Sequence, residues 1–268
     1  MAIVNSKIEG RITVPTGGWS VAVTETGGGG GPHTVTVPAG DYYLSTGDTI
    51  ADDLPQEFAD QLTANASLSG TYTVTISAAE SGTGLVTIAA TGITSFTLTW
   101  TSTDLRDVLG FAGTLTPSAA SFVGTKHARS LWLPNCPYST LNHDEAGWVE
   151  SDFRAQETMS GNAFLFAGER RTVNSIMWPA ITRAKVWTAN ETTTNESLQT
   201  FWLDVILGEA TWSKTAGGPI RWHARSASND STYHTYHATT WSEFKPDVVR
   251  EGWTSLWRIV IPRLVVKP

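Results

Sequence analysis

The chain has 268 residues, a formal net charge of −7 and only 16 % charged residues, where an average soluble chain has about 25 %. This composition excludes a coiled coil, a charged helical rod and a strongly charged disordered chain. The acidic balance argues against general binding of nucleic acid, and no apolar run is long enough to predict a membrane span. Abundant threonine and 12 tryptophans favour strands, so we predict a mainly β protein.

Charge and tryptophan divide the chain into two parts. Residues 1–125 have three basic and eleven acidic side chains, whereas residues 126–268 have fifteen and fourteen and include ten of the tryptophans. We therefore predict an acidic α+β module over 1–125 and a Trp-rich, β-sandwich-like domain over 126–268. The asymmetry has two readings: two folds of different origin, or two surfaces that meet different neighbours.

In the first part, alternating or β-rich runs predict strands over residues 34–37, 42–44, 72–77, 84–89 and 95–100, the last three as a meander. The five glycines at 27–31 predict a flexible hairpin tip or linker. A phosphate cradle is the alternative, although no Lys-Ser/Thr pair and no helix start follow them.

Two helices are predicted in this part. The first covers 53–64, with Asp53 as its cap, Pro55 in the first turn, and apolar residues every four positions. The second is short. Thr103 caps its start, Gly110 takes a left-handed conformation after its end, and Phe111 packs back on Leu105 as in a Schellman closure.

In the second part, the predicted strands are 130–133, 163–166, 172–178, 183–188, 220–225, 231–239 and 257–266. Pro262 predicts a bulge or an edge in the last strand. A capping box at 193–196 predicts the start of a helix that ends at Gly208. Its wide apolar face should dock on a sheet, and it consists of Leu198, Phe201, Trp202 and Val205.

The sequence shows little that predicts catalysis. Cys136 lies between prolines and is the only cysteine, which excludes a disulfide within the chain and a cysteine-based zinc site. His223 and His234 could join Glu243 around a metal only if their strands pair.

Glu150 and Asp152 lie near Trp148 and would suit glycoside hydrolysis, but a solvated loop is the default interpretation. We predict no catalytic residues, no cofactor and no metal.

The tryptophans predict an interaction surface. Trp178, Trp187, Trp202 and Trp257 have apolar neighbours and are expected in the core, whereas others have polar neighbours and are expected at the surface. A protein interface is the first interpretation, because Trp and Arg are enriched at binding hot spots, and sugar stacking is the second. The predicted contact residues are Trp212, Arg221, Trp222, Arg225 and Trp241.

Two stretches carry a family resemblance. Residues 37–113 end in Thr-Asp-Leu-Arg-Asp-Val-Leu-Gly-Phe-Ala-Gly, and Ala-Arg-Ser-Leu-Trp-Leu-Pro follows at 128–134. This resembles an α+β module of structural proteins in tailed bacteriophages and other large viruses. The helix at 197–204, the strands near 219–222 and 233–236, and the closing strand at 257–266 are similar in layout to tail-tip and distal-tail proteins.

The resemblance implies a virion protein without enzymatic activity, made in the host cytoplasm and placed most naturally in the tail or baseplate. Its partners would be copies of itself in a symmetric ring and other virion proteins, with no nucleic acid and no membrane. The alternatives are a head decoration or collar protein, a module that binds a host surface glycan, and a hydrolase.

Overall fold

The computed structural model describes residues 7–44, 52–77, 83–115, 120–132, 148–157, 163–187, 197–213, 219–223, 234–238, 247–250 and 256–266. The fold is mainly β, as predicted. Within these residues, sixteen strands form four antiparallel sheets, and the helices are few and short.

The first part of the chain contains nine strands and two helices. In chain order they are β1 Lys7–Gly10, β2 Ile12–Val14, β3 Trp19–Thr26, β4 His33–Val37, β5 Gly40–Tyr42, α1 Leu54–Ala64, β6 Thr71–Ile76, β7 Val86–Thr91, β8 Ser95–Trp100, α2 Thr103–Val108 and β9 Ser121–Val123.

The second part contains seven strands and three helical pieces. They are β10 Leu131–Trp132, β11 Trp148–Glu157, β12 Ala163–Thr182, α3 Arg183–Val186, α4 Leu198–Phe201, a π-helical segment Trp202–Ile206, β13 Pro219–His223, β14 His234–Ala238, β15 Asp247–Arg250 and β16 Leu256–Val266.

Both predicted helices of the first part are confirmed. Asp53 occupies the N-cap position of α1, but its side chain makes no capping hydrogen bond there. Pro55 lies in the first turn, and the apolar stripe Leu54, Phe58 and Leu62 is fully buried. Proline is tolerated there because the first helical N–H groups have no partner within the helix.

The Schellman closure of α2 is also confirmed. Gly110 has a φ of +76°, its N–H donates to the Asp107 carbonyl at 3.2 Å, and the Phe111 N–H donates to the Arg106 carbonyl at 3.0 Å. The predicted cap residue is off by one, because Ser102 holds the N-cap position. Its hydroxyl accepts the Ser20 N–H at 2.9 Å and so ties α2 to β3.

The predicted meander is wrong. Strands β6, β7 and β9 form one sheet, while β8 leaves β7 and pairs with β3 in the sheet β4-β3-β8. Phe96 of β8 packs edge-to-face against Tyr72 of β6 at 5.5 Å and Phe122 of β9 at 5.1 Å. The two sheets thus bury aromatic rings between them, and β3, which the sequence analysis missed, supplies the partner for β8.

Strand β1 belongs to the sheet of the second part. The eight-stranded sheet has the order β10-β1-β13-β14-β16-β12-β11, with β15 also paired to β16. Ile8 lies opposite Trp132 on one side and Trp222 on the other. A strand from the predicted 1–125 module therefore completes the sheet of the predicted 126–268 domain.

The second part shows two further differences from the prediction. The predicted strands 163–166 and 172–178 are one 20-residue strand, β12. The predicted strand 183–188 is wrong, because α3 begins directly after Thr182; Arg, Ala and Lys are good helix formers. The bulge at Pro262 is confirmed, since the β12–β16 register shifts between the pairs Asn174–Leu264 and Ile176–Ile261.

The helical segment of the second part docks as predicted. Its stripe residues Leu198, Phe201, Trp202 and Val205 are all buried, and Gly208 follows the π-helical segment with a φ of +69°. The cap is Ser197, whose hydroxyl accepts the Thr200 N–H at 3.1 Å. The predicted capping box at 193–196 lies outside the described residues.

The π-helical segment presses directly on β1. A Cβ atom added to Gly10 would overlap both methyl groups of Val205. Only glycine lets the backbone of β1 and the helical segment approach this closely.

Replacement of Gly10 tests this packing. We expect Gly10→Ala to lower the free energy of unfolding by about 1–3 kcal/mol because the added methyl group overpacks the contact. Gly113→Ala is the matched control, since a Cβ there meets nothing within 4 Å, and it should change stability by less than about 0.5 kcal/mol. Urea unfolding midpoints measure both, and equal effects would contradict the packing.

Candidate functional site

The glycine run at 27–31 forms the tip of the β3–β4 hairpin, as predicted. Gly27 and Gly30 have φ values of +76° and +78°, which side chains other than glycine rarely adopt. The loop folds over the carboxylate of Glu25, which is only 5 % exposed.

Glu25 gathers hydrogen bonds from three parts of the fold. Its Oε2 accepts the Gly29 N–H at 2.6 Å and the Ser69 N–H at 2.9 Å. Its Oε1 accepts the Gly70 N–H at 2.9 Å and the Tyr72 hydroxyl at 2.8 Å. The carboxylate therefore ties the hairpin tip to the connection after α1 and to β6.

The glycines make this arrangement sterically possible. A Cβ at Gly28 would come within 2.5 Å of Glu25 Oε2, and a Cβ at Gly29 would overlap the Ser67 carbonyl oxygen. The space that a phosphate would need at this loop is filled by a carboxylate of the same chain, which has the same sign of charge. The geometry thus explains the glycine run without a phosphate.

Two opposing effects set the pKa of Glu25. Burial raises it, but the hydrogen bonds from Ser69, Gly29, Gly70 and Tyr72 outweigh burial and leave the pKa below its ordinary value of 4.5. Burial and the bond to this carboxylate raise the pKa of the Tyr72 phenol. Near neutral pH the pair is therefore a charged acceptor and a neutral donor.

Arg221, one of the predicted contact residues, lies inside the chain. It is only 6 % exposed, which is contrary to the expectation of a surface contact. Its Nη1 donates to Asp52 Oδ1 at 3.2 Å, and its Nη2 bonds to Asp52 Oδ2. Its guanidinium carbon lies 3.6 Å from the centre of the Tyr43 ring, a cation–π contact.

A buried carboxylate faces Arg221 across the sheet. Glu9 of β1 lies directly opposite Arg221 of β13 in the ladder, and its side chain has no exposed surface. Directly opposite residues of an antiparallel pair share one face of the sheet. A cation of the second part thus bonds to Asp52, stacks on Tyr43 and has Glu9 as its neighbour in the ladder, and all three belong to the first part.

Burial raises the pKa of Tyr43 to about 12. The charges of Arg221 and Arg11 lower it, and those of Asp52 and Asp41 raise it. The Tyr43 phenol therefore stays protonated near neutral pH. The Arg221 guanidinium has its acceptors in the Asp52 carboxylate. The arrangement is that of a junction between the two parts of the chain.

A second ion pair lies within the second part of the chain. Arg129 Nε and Nη2 donate to Asp204 Oδ2 of the π-helical segment at 2.8 Å and 2.7 Å. Burial raises the pKa of Asp204, Arg129 lowers it and Glu209 raises it. The Thr211 hydroxyl donates to Asp104 of α2 at 2.6 Å, and this bond joins the second part to the first.

The structure places two of the other predicted contact residues, Trp212 and Trp222. Trp212 is 3 % exposed, so its predicted exposure is wrong; its carbonyl accepts the Thr13 N–H at 2.9 Å. Trp222 lies in β13, opposite Ile8 of β1 and His234 of β14. Arg225 and Trp241 lie outside the described residues.

The structure describes the burial of three of the four predicted core tryptophans. Trp202 is buried, and Trp187 and Trp257 are half-buried and meet edge-to-face at 5.5 Å. Trp178 lies in β12. Each tryptophan whose side chain the structure describes is buried or half-buried, so this part of the chain shows no aromatic platform for sugar.

The residues considered for catalysis and metal binding are scattered. Glu150 and Asp152 lie in strand β11, which corrects the default interpretation of a loop. Strands β13 and β14 do pair, which brings the backbones near His223 and His234 together. Cys136 and Glu243 lie outside the described residues, and among those described no three His, Cys, Asp or Glu side chains converge as metal ligands.

Sequence patterns did not predict a role for Glu25, Tyr43, Asp52 or Glu9. One of them left a readable signal: Glu25 occupies the inward position after Val21 and Val23 in the alternation of β3. An acidic residue in a core position beside a glycine run indicates a buried carboxylate that receives backbone N–H groups.

Comparison with protein-family models, with curated proteins and with solved structures gives no match to the chain. Among the described helices, none combines the length and the apolar character needed to cross a bilayer.

Glu25→Gln tests the carboxylate at the glycine loop. We expect it to lower the free energy of unfolding at pH 7 by roughly 2–4 kcal/mol, because an amide group replaces a charged acceptor that four donors share. Because the native pKa is lowered, the stabilisation is complete above the unfolded-state pKa and is lost as pH falls through the native value. The variant should therefore lose less stability than the wild type on acidification.

Asp60→Asn is the control for this experiment, since it makes the same chemical change at an exposed carboxylate that accepts only a surface bond from Gln56. It should stay within about 0.5 kcal/mol of the wild type. Urea unfolding from pH 3 to pH 7 measures all three proteins. A wild-type pH profile that Glu25→Gln leaves unchanged would contradict the assignment.

Arg221→Met tests the buried junction. We expect a loss of about 3–5 kcal/mol, because Asp52 and Glu9 lose their neighbouring cation. Arg106→Met removes a partly exposed ion pair to Asp107 and should cost less than about 1 kcal/mol. Calorimetric unfolding measures the loss of stability in both variants. Similar losses would contradict the assignment of Arg221 as a buried junction.

Proposed function

We propose that the chain is a non-enzymatic structural component of a bacteriophage virion, most naturally of the tail or baseplate, which acts by assembling with copies of itself and with neighbouring virion proteins. The sequence resemblance of the α2 region and of the closing strands motivates the class. One structural observation supports assembly as the activity.

That observation is the arm formed by β11 and β12. The ladder between β12 and β16 begins at Val173, so residues 163–172 of β12 pair with β11 alone among the described strands. The resulting two-stranded ribbon is about 33 Å long. A ribbon of two strands is only marginally stable by itself, so a neighbouring subunit is the natural source of its further support.

The buried charges of the chain are consistent with a structural role. Glu25, Arg221 and Asp204 each engage groups of their own chain, which is how a protein fixes its shape. The proposed partners are copies of the chain and other virion proteins, without nucleic acid or a membrane. Head decoration, a collar position and host glycan binding are the alternative outcomes.

Experiments on purified phage particles distinguish these outcomes. Mass spectrometry of purified tailed-phage particles that encode the chain should find it in many copies, and a gold-labelled antibody should mark the distal end of the tail in electron micrographs. Gold over the head would place the protein in a decoration or collar instead. Its absence from particles would overturn the proposal, and a change in tryptophan fluorescence with host polysaccharide would then favour glycan binding.

A further inference from the structure

Strand β11 is the last strand of the eight-stranded sheet. It pairs with β12 along one side from Trp148 to Glu157, and the register shifts once, between Ser151 and Phe153. In the part of the chain that the structure describes, no strand pairs with its other side. An open edge of this length presents a row of backbone donors and acceptors that another strand can join.

We propose that the open edge of β11 pairs antiparallel with the same edge of a second copy of this chain, about a two-fold axis at Phe153. The inference rests on the proposed function, because it names the partner and the surface through which the chain assembles. Pairing of identical edges about a two-fold axis gives a closed interface that uses the same residues on both copies.

The charges along β11 favour this register. With Phe153 on the axis, Asp152 of each copy lies opposite Arg154 of the other, so the interface contains two pairs of opposite charge. Glu150 then lies opposite Gln156, and Val149 lies opposite Glu157. No like charges meet, and directly opposite charges stabilise a sheet when they differ in sign.

The neighbouring registers are worse. Opposite residues must lie on the same face of the sheet, so the neighbouring two-fold axes pass through Asp152 or Arg154. An axis at Asp152 places that carboxylate opposite its own copy, and an axis at Arg154 places that guanidinium opposite its own copy. Parallel pairing in register would place every charged residue opposite its own copy. Like charges directly opposite each other are destabilising, so the sequence of β11 distinguishes one pairing from the alternatives.

The pairing also completes the arm. The two-stranded ribbon of each copy becomes the half of a four-stranded sheet with the order β12-β11-β11-β12. A sheet of three or more strands reaches the size at which strand pairing becomes independently stable.

Cross-linking of the purified full-length chain tests the register. In a Cys136→Ser background, Phe153→Cys places one thiol of each copy at the axis, whereas Val149→Cys places its thiol opposite Glu157. A short bis-maleimide should join Phe153→Cys chains into dimers and leave Val149→Cys chains mostly single. A mixture of Val149→Cys chains with Glu157→Cys chains should again form dimers.

Charge exchange tests the pairing without a reagent. Asp152→Arg alone and Arg154→Asp alone each bring like charges together, and the dimer seen by sedimentation should weaken roughly tenfold. The double exchange Asp152→Arg with Arg154→Asp restores opposite charges and should restore the dimer. Circular dichroism checks that each variant keeps its sheet content.

The inference is overturned if Phe153→Cys and Val149→Cys cross-link equally, if neither cross-links, or if the double exchange fails to restore what the single changes lose. Failure here with gold at the tail would leave the proposed function standing and remove this interface. Cross-linking with no protein in the particles would keep the interface and remove the virion assignment.

Discussion

A guanidinium group taken out of water needs acceptors around it, and this requirement governs how the two parts of the chain are joined. Arg221 of β13 is buried. It contacts Asp52 and Tyr43, which precede α1 in the chain, and it lies opposite Glu9 of β1 in the ladder. Removal of the Asp52 carboxylate takes the ion-pair partner from a buried guanidinium, which is far more costly than loss of a surface ion pair. Strand β1 lies between β10 and β13 in the second sheet, and Glu9 is the residue that it places opposite Arg221.

Features set by neighbouring residues, such as helix closures and apolar stripes, were predicted from the sequence. Features set by residues far apart in the chain, such as strand pairing, were not. The α2 closure was readable because Gly110 and Phe111 act within one turn of helix. The apolar stripe across α4 and the π-helical segment was predicted because its residues recur with a helical period. The meander failed because strand pairing depends on partners far along the chain, and β8 found β3 across some 70 intervening residues. The strand predicted at 183–188 failed because a local helix preference outweighed its β-branched end.

The candidate site shows the same division. Composition identified Arg221 as a residue of energetic importance but placed it at the surface, because a sequence does not show which carboxylates reach a guanidinium. Trp212 was misplaced for a similar reason, since its polar neighbours in sequence are not its neighbours in space. Glu25 interrupts the apolar alternation of β3 and was open to prediction. With these charged groups engaged inside the chain, the surface that we propose for assembly is the edge of β11, which no other described strand covers.

The central claim is that the first strand and the second sheet form a single unit held at Arg221. Native-state hydrogen exchange of the β1 amides measures this most directly, because it reports the free energy at which a segment opens. The account predicts that Glu9 and its neighbours in β1 exchange with the same free energy as β13, and that Arg221→Met lowers both together. Exchange of β1 at a much lower free energy, with β13 still protected, would contradict it.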